Sequence, residues 1–479
     1  MNNILTIKGP KWISALLLLA LLSCNKDNVL DTASQSQLSS ADVFKSPKRI
    51  EGLVNGIYKT VKTEAGKLFL NKDIRGEDFI NQTNNAFTGF DGWANNYSGS
   101  SADVEAIWDS AYSSINSSNM LIAGLLTSTG VISDSVKNQY TAEARFLRAY
   151  NYFSLVTLYA RPFVEDNGAS RGLPLRLVSD ASVGGKNLAR STVAEVYAQI
   201  IADLDFAEKN LPLTYSTADL NTTRAHRNTA IALKTRVYLN MGQFANVITE
   251  AVKIVPQTSA PFSATSGVTN ALQSNVQTPF STNYTTTESI FSLPVTAADP
   301  PTNPLGGYYN VNGDFSLNTT GILGDAQWAT SDARRNMTRV NSTNGQYFLM
   351  KYAKPSPYVD YIPVIRYSEV LLNYGEAAAQ QGNTSLSIAL LEAVHLRSDP
   401  AYTFPSGATA SPEALVATIW KERRIELLGE GFRSNDLLRN LLALPAKSSG
   451  SFQARQVNPS DNGYIFPLPN GEIISNKLL

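Results

Sequence analysis

One cysteine, Cys24, stands in the whole chain of 479 residues, which rules out an intramolecular disulfide. Histidine is nearly as scarce, with only His226 and His395, far apart in sequence. The His/Cys spacings of zinc sites are therefore missing, as are HExxH, a Walker phosphate loop and a GxSxG elbow. Neither sign of charge dominates: 40 basic residues balance 40 acidic ones. Nothing here captures nucleic acid electrostatically, so no nucleic-acid partner is expected. Charged residues make up 17% of the chain and hydrophobic ones 43%, so a large core is available under a lightly charged surface. Asn, Ser and Thr do much of the surface work, which suits neutral polar ligands. The longest apolar run, residues 12–22, is about half of what a membrane-spanning helix needs.

That run has the parts of a secretory signal: Lys8 and Lys11 before it, Ser23 and Cys24 after it. Leu21-Leu22-Ser23-Cys24 resembles the bacterial lipobox, in which the cysteine thiol receives a diacylglycerol and becomes the first mature residue. The expectation is a lipoprotein signal peptide over 1–23, a lipid on Cys24, and a flexible polar tether over 24–40. The alternative is an ordinary signal peptide with a chance cysteine. The lipid is favoured because a lone thiol in an exported protein otherwise has no role.

The following chain predicts a helical scaffold over about 41–256 and 363–479. Residues 39–63 read as a helix opened by a Ser39-x-x-Asp42 signal. Apolar positions at helical spacing mark 104–126 (Val104, Ile107, Trp108, Ala111, Ile115) and 134–160 (Val136, Tyr140, Ala144, Leu147). Thr192-x-x-Glu195 is a capping box, and Ser411-Pro412-Glu413 opens a helix running to about Gly429. Residues 229–256 and 368–400 are similar to each other. Each has a helix rich in small residues, a turn with Gly242 or Gly382, a second helix, and a closing Pro256 or Pro400. This resembles the tetratricopeptide helix-turn-helix unit, and three or four such units are expected. Residues 64–103 and 257–362 are different: rich in Gly, Asn, Ser, Thr, Pro and aromatics, with little helical period. Loops this long are uncommon unless functional, so they are read as insertions carrying the ligand surface.

Catalytic signals are poor. His395 lies between Val394 and Leu396 in a helical stretch and reads as packing. Glu422, Glu426 and Glu430 fall on one helix face, where a carboxylate pair for glycoside hydrolysis could be imagined. Arg423, Arg424, Arg433 and Arg439 interleave with them, and Arg145, Arg148 and Arg366 could join from neighbouring helices. A structural ion-pair network is the favoured reading, since arginines push a carboxyl pKa away from acid–base work. The aromatic stretches point elsewhere. Trp93 and Tyr97 flank Asn95 and Asn96 in NNAFTGFDGWANNYSGS, Tyr308 and Tyr309 follow two glycines, and Trp328 sits in a third stretch. Rings that stay partly exposed can stack on a pyranose while amides take its hydroxyls. The alternative is that these rings anchor long loops to the body.

Six stretches, in order and spanning nearly the whole chain, carry a family resemblance. They are NVLDTASQSQLSSADVFKSPKRIEGLVNGIY after the lipobox; AEARFLRAYNYFSLVTLYARPFV; STVAEVYAQIIADLDFAEKNLP; YIPVIRYSEVLLNYGEAAAQQG; IWKERRIELLGEGFRSNDLLR; and FPLPNGEIISNKLL. The chain resembles the SusD/RagB lipoproteins of Bacteroidetes. That resemblance implies a mostly α, tetratricopeptide-like scaffold of about four hairpin units with an inserted loop-rich ligand region. It implies capture of oligosaccharide at the outer face of the outer membrane and delivery to a SusC-like TonB-dependent transporter, without catalysis, cofactor or metal. Peptide uptake is the alternative within the family; a surface glycoside hydrolase or a pure scaffold lies outside it. By region, the resemblance puts the ligand on Trp93, Asn95, Asn96, Tyr97, Tyr308, Tyr309 and Trp328.

Overall fold

The computed structural model describes residues 40–179, 187–281 and 284–479. The leader, Cys24 and the tether as far as residue 39 lie outside them. No helix among the described residues is long and apolar enough to cross a membrane.

Eleven helices, with shorter turns between them, make the body: α1 Pro47–Thr63, α2 Ala65–Ile74, α3 Ala102–Thr127, α4 Asp134–Tyr159, α5 Val193–Asn210, α6 Arg227–Asn240, α7 Phe244–Ala251, α8 Tyr367–Gln380, α9 Thr384–His395, α10 Pro412–Glu426 and α11 Arg433–Leu438. From α3 to α10 each packs against the next in sequence, the stacking order of a helical-repeat scaffold. The residues that announced helices form them. Val104, Ile107, Trp108, Ala111 and Ile115 are the buried stripe of α3. The capping box of α5 closes in both directions, Glu195 N donating to Thr192 Oγ1 (3.1 Å) and Thr192 N to Glu195 Oε2 (2.7 Å). Ser411 accepts from Ala414 N (3.2 Å) ahead of Pro412. The C-terminal half of α4 is buried on every side, from Ala142 to Tyr159 with Arg145 the one exception, so it runs through the centre of the body.

The two similar segments share their turn chemistry. Gly242 (φ +67°) and Gly382 (φ +76°) take the left-handed conformation a side chain disfavours. Behind them, Gln243 N donates to Tyr238 O (2.9 Å) and Asn383 N to Ala378 O (2.8 Å). Both are Schellman closures that satisfy the last carbonyls of α6 and α8. One expectation fails locally: 39–63 is not a single helix. A short helix, Ser40–Val43, stops before α1. Ser46 is extended (φ −141°, ψ 130°) because the Pro47 ring crowds the α conformation of the residue before it.

The segments without helical period form small sheets. β1 (Phe79–Asn81), β3 (Phe315–Leu317), β5 (Tyr347–Leu349) and β4 (Thr338–Val340) make one antiparallel sheet in the order β1-β3-β5-β4. Phe79 pairs with Leu317 and Ile80 with Ser316, so the two long insertions are joined by strand pairing. β2 (Ser289–Leu293) pairs with β6 (Ile362–Arg366), and every residue of both is buried. Phe291 of β2 meets the edges of Tyr58 and Phe146, which locks this pair onto the helices. β7 (Lys447–Ser449) and β8 (Phe452–Ala454) form a hairpin.

Candidate ligand-binding site

Four of the five rings expected to stack on a ligand are inside the protein. Trp93 is 0% exposed, Tyr309 0%, Trp328 2% and Tyr308 7%. Trp93 donates its indole N–H to Phe79 O (2.9 Å). Tyr309 stacks on Phe79 at 4.6 Å and donates to Asp73 Oδ2 (3.3 Å). Tyr308 donates to Asn303 Oδ1 (3.1 Å), and the Arg335 guanidinium covers the Trp328 ring at 4.4 Å. Tyr97 is half-buried, its ring 4.1 Å from that of Phe466 and its hydroxyl on Asn71 Oδ1 (2.9 Å). Asn95 is buried with φ +53°, a turn position. Of the seven residues only Asn96 is exposed. Trp93, Tyr308, Tyr309 and Trp328 therefore lack the partial exposure that stacking requires and do the alternative job, while Tyr97 keeps part of its ring at the surface. Large apolar side chains help to fix insertions that have few backbone ladders to the body.

The carboxylate face is also filled from within. α10 ends at Glu426, and Glu430 follows after a turn in which Gly429 has φ +80°. Arg334 bridges Glu422 and Glu426 (Glu422 being the closer) while also holding Asp332 at 2.6 Å. Arg366 joins Glu288 (2.5 Å), Glu426 (2.7 Å) and Glu430 (2.7 Å). Arg397 bridges Glu288 and Glu426, each at 2.5 Å, and Lys351 donates to Glu430 (2.7 Å). His395 Nδ1 sits 2.6 Å from Glu422 Oε2, its ring against Tyr402 and Phe404. Burial alone would raise the Glu422 pKa, but Arg334 and His395 hold it down at about 2. Burial is likewise outweighed at Glu426 by Arg397, Arg366 and Arg334, which keep it well below the carboxylate range. A general acid needs the opposite shift. The network is thus structural, as expected, but with other partners. Only Arg366 was foreseen. Arg423 and Arg439 instead share Asp436, Arg424 and Arg433 take Glu77, and Arg145 and Arg148 take Asp203.

One open cleft lies beside the four-stranded sheet. It has a volume of about 660 Å³ and takes Ile80 from β1 and Gln82 from just after it. Residues 316–319 and 344–347 line one side, and residues 448–452 of the β7–β8 hairpin line the other. Its volume falls within the range of small-molecule sites. The hairpin is tied to β1 by Ser449 Oγ donating to Asn81 O (2.6 Å). Four amides line it: Gln82, Asn318, Asn344 and Gln346. Three of them form a directed chain: Asn344 Nδ2 donates to Gln346 Oε1 (2.8 Å), Gln346 to Gln82 Oε1, and Gln82 Nε2 to Ser316 Oγ (2.8 Å). The two bonds at Gln346 use one hydrogen of its –NH2 group and one lone pair of its carbonyl, so it keeps one of each for a ligand. Hydroxyls come from Thr319, Ser448 and Ser451, all exposed, and flat apolar surface from the half-buried Tyr347 and Phe452. Phe87, 79% exposed, follows five residues after Gln82.

Both insertions, which were expected to carry the ligand surface, contribute to this cleft, yet none of the expected site residues lines it. The hairpin was missed altogether, although Ser448-Ser449-Gly450-Ser451 is a turn signal of the kind that marks one.

The sequence matches a family model described as starch-binding and associating with the outer membrane over residues 28–239, and the SusD family model over residues 318–479. A SusD-like protein, P2, of Formosa agariphila is 26% identical, the alignment covering 99% of each chain. The crystal structure of a SusD superfamily protein from Bacteroides fragilis is similar at TM-score 0.82 and 30% identity, covering 91% of this chain and 100% of that one. A putative sugar binding protein from Bacteroides vulgatus shares the fold at TM-score 0.77 and 23% identity, over 91% of this chain and 97% of its own.

Proposed function

The chain belongs to the SusD family, and from that premise we propose that it is a non-catalytic lipoprotein of the outer-membrane surface that holds oligosaccharide in the cleft beside β1 and passes it to a SusC-like TonB-dependent transporter. The observation that carries this reading is the cleft itself. Amides with a spare donor and acceptor, exposed hydroxyls and two half-buried rings in about 660 Å³ match what a pyranose presents. Such a sugar offers a ring of hydroxyls around apolar C–H faces, each contact being weak in water. The carboxylates that a glycoside hydrolase would need in a cleft are instead buried and neutralised by Arg334, Arg366 and Arg397. The lipid on Cys24 and the polar tether after it would keep the binding body at the membrane while leaving it free to move over a transporter.

Affinity electrophoresis against a polysaccharide panel tests the reading, with Gln346→Ala and Phe452→Ala beside the unchanged chain. Retardation by at least one glycan, weakened in both variants, is the expected result. Binding of extended peptides with no glycan retarded would overturn the substrate class, and release of reducing sugar by the pure protein would overturn the absence of catalysis. Cys24→Ala should leave the membrane fraction without unfolding, and the lipid-anchored chain should co-purify with a large barrel partner.

A further inference from the structure

We infer that the cleft selects uncharged oligosaccharides and discriminates against uronate- or sulfate-bearing ones; the inference rests on the reading of that cleft as the glycan site. Every side chain that lines it is uncharged. This is not for want of charge nearby, since the elements that build the cleft carry several ionic groups, most of them engaged inside the protein and none in the lining. Lys447, which opens β7, is 8% exposed and sends its Nζ to the carbonyls of Ile74 and Gly76. Arg339 of β4 donates to Asn310 Oδ1 (2.7 Å) with its guanidinium 4.5 Å from the Phe348 ring. Beneath β1, Asp78 accepts from Arg424 (2.5 Å) and from Ile322 N (2.8 Å), and Glu77 from Arg433 (2.5 Å). Arg455, just past β8, is exposed but is not among the side chains that line the cleft. Asp314, just before β3, is 7% exposed.

The chemistry follows from this arrangement. A carboxylate or sulfate entering the cleft would give up part of its hydration and meet amide and hydroxyl dipoles but no cation. Neutral hydroxyls lose little in the same exchange, because Gln346 and the hairpin serines replace water one bond for one. Selectivity then comes from the penalty on the charged competitor rather than from a stronger grip on the neutral one. Without a formal charge on either partner, binding should also be indifferent to ionic strength.

The test is calorimetric titration of the full chain with neutral hexasaccharides (gluco-, xylo-, manno- and galacto-configured) and with hexagalacturonate and a sulfated galactan hexamer, at 20 and 500 mM NaCl. We expect at least one neutral hexamer to bind with a Kd that changes less than twofold between the two salts, and both anionic hexamers to bind at least tenfold more weakly. Gln346→Lys, a change at a partly exposed position on the cleft wall, should narrow that gap at least tenfold for hexagalacturonate and make its binding salt-dependent. Preference for an anionic hexamer, or a Kd that rises steeply with salt, would overturn the inference while leaving the glycan reading intact. Failure of every sugar to bind would bring down the glycan reading itself, and the inference with it.

Discussion

Two polar regions of this protein obey opposite rules. Around Glu422, Glu426 and Glu430, formal charges gather in the dry interior with Arg334, Arg366, Arg397 and Lys351. The cleft beside β1 is open to water and has no formal charge in its lining. A buried ion cluster is satisfied only by partners at fixed positions, so it specifies one arrangement of α10, β6 and the segment before β4. Amides and hydroxyls tolerate repositioning and exchange with water at little cost. Polarity thus fixes the body in one region and leaves the other adaptable.

The largest way to test that contrast is Arg366→Ala. It strips Glu288, Glu426 and Glu430 of a shared partner and should cost about 3–5 kcal/mol, since an uncompensated charge stays buried. Urea unfolding measures it, and a loss under about 1 kcal/mol would make the cluster incidental. Next comes acid. Burial holds the His226 pKa down at about 4, and its Nε2 lies 3.2 Å from Ile290 O. The unfolded chain takes up that proton at about pH 6.5. The stabilisation is therefore complete above pH 6.5 and is lost as pH falls towards 4, a decline of about 3 kcal/mol. Below about pH 4.5 the depressed Glu422 and Asp436 extend the fall. Over pH 7.5 to 4.5 the burial-raised carboxyls of Asp73 (about 7) and Asp314 (about 6) act the other way. The His226 share is therefore read as the difference in urea midpoint between the unchanged chain and His226→Gln, which should close as pH falls, while glycan affinity over the same span stays level. A third test removes cleft groups. Gln346→Ala with Tyr347→Ala should weaken glycan binding by about 1–3 kcal/mol, or roughly tenfold to a hundredfold, with the melting temperature within about 2 °C. The smallest effect expected is that of Trp93→Phe. Loss of the indole N–H to Phe79 O should cost about 1 kcal/mol of stability and leave affinity unchanged, and a drop in affinity would return Trp93 to the ligand face.

Much of the scaffold is visible in the sequence because its determinants are local. A 3.6-residue stripe such as Val104–Ile107–Trp108–Ala111 or a cap such as Thr192–Glu195 is complete within a few positions. The same holds for Gly242 and Gly382, whose backbone conformation is dictated at the residue itself. The site is less visible because its determinants are distant. That Trp93 points inward is decided by Phe79 and Lys447, and which arginine meets Glu426 is decided by chain crossings that put Arg334, Arg366 and Arg397 around it. Sequence could say that these glutamates need cations and that the insertions carry rings. It could not say which cations, or which way the rings turn.

The pairing of β1 with β3 has a consequence in time. Gln82 and Ser316, bonded across the cleft, are 234 positions apart, and Ser449 reaches back 368 positions to Asn81. Contacts of such sequence separation are slow to form, because a long loop must close before they return any stabilisation. The helices can assemble neighbour by neighbour while the cleft waits for strands from the early, middle and late parts of the chain. The cleft is thereby deferred to a finished molecule: a nascent or clipped chain can hold helices before it has any cleft.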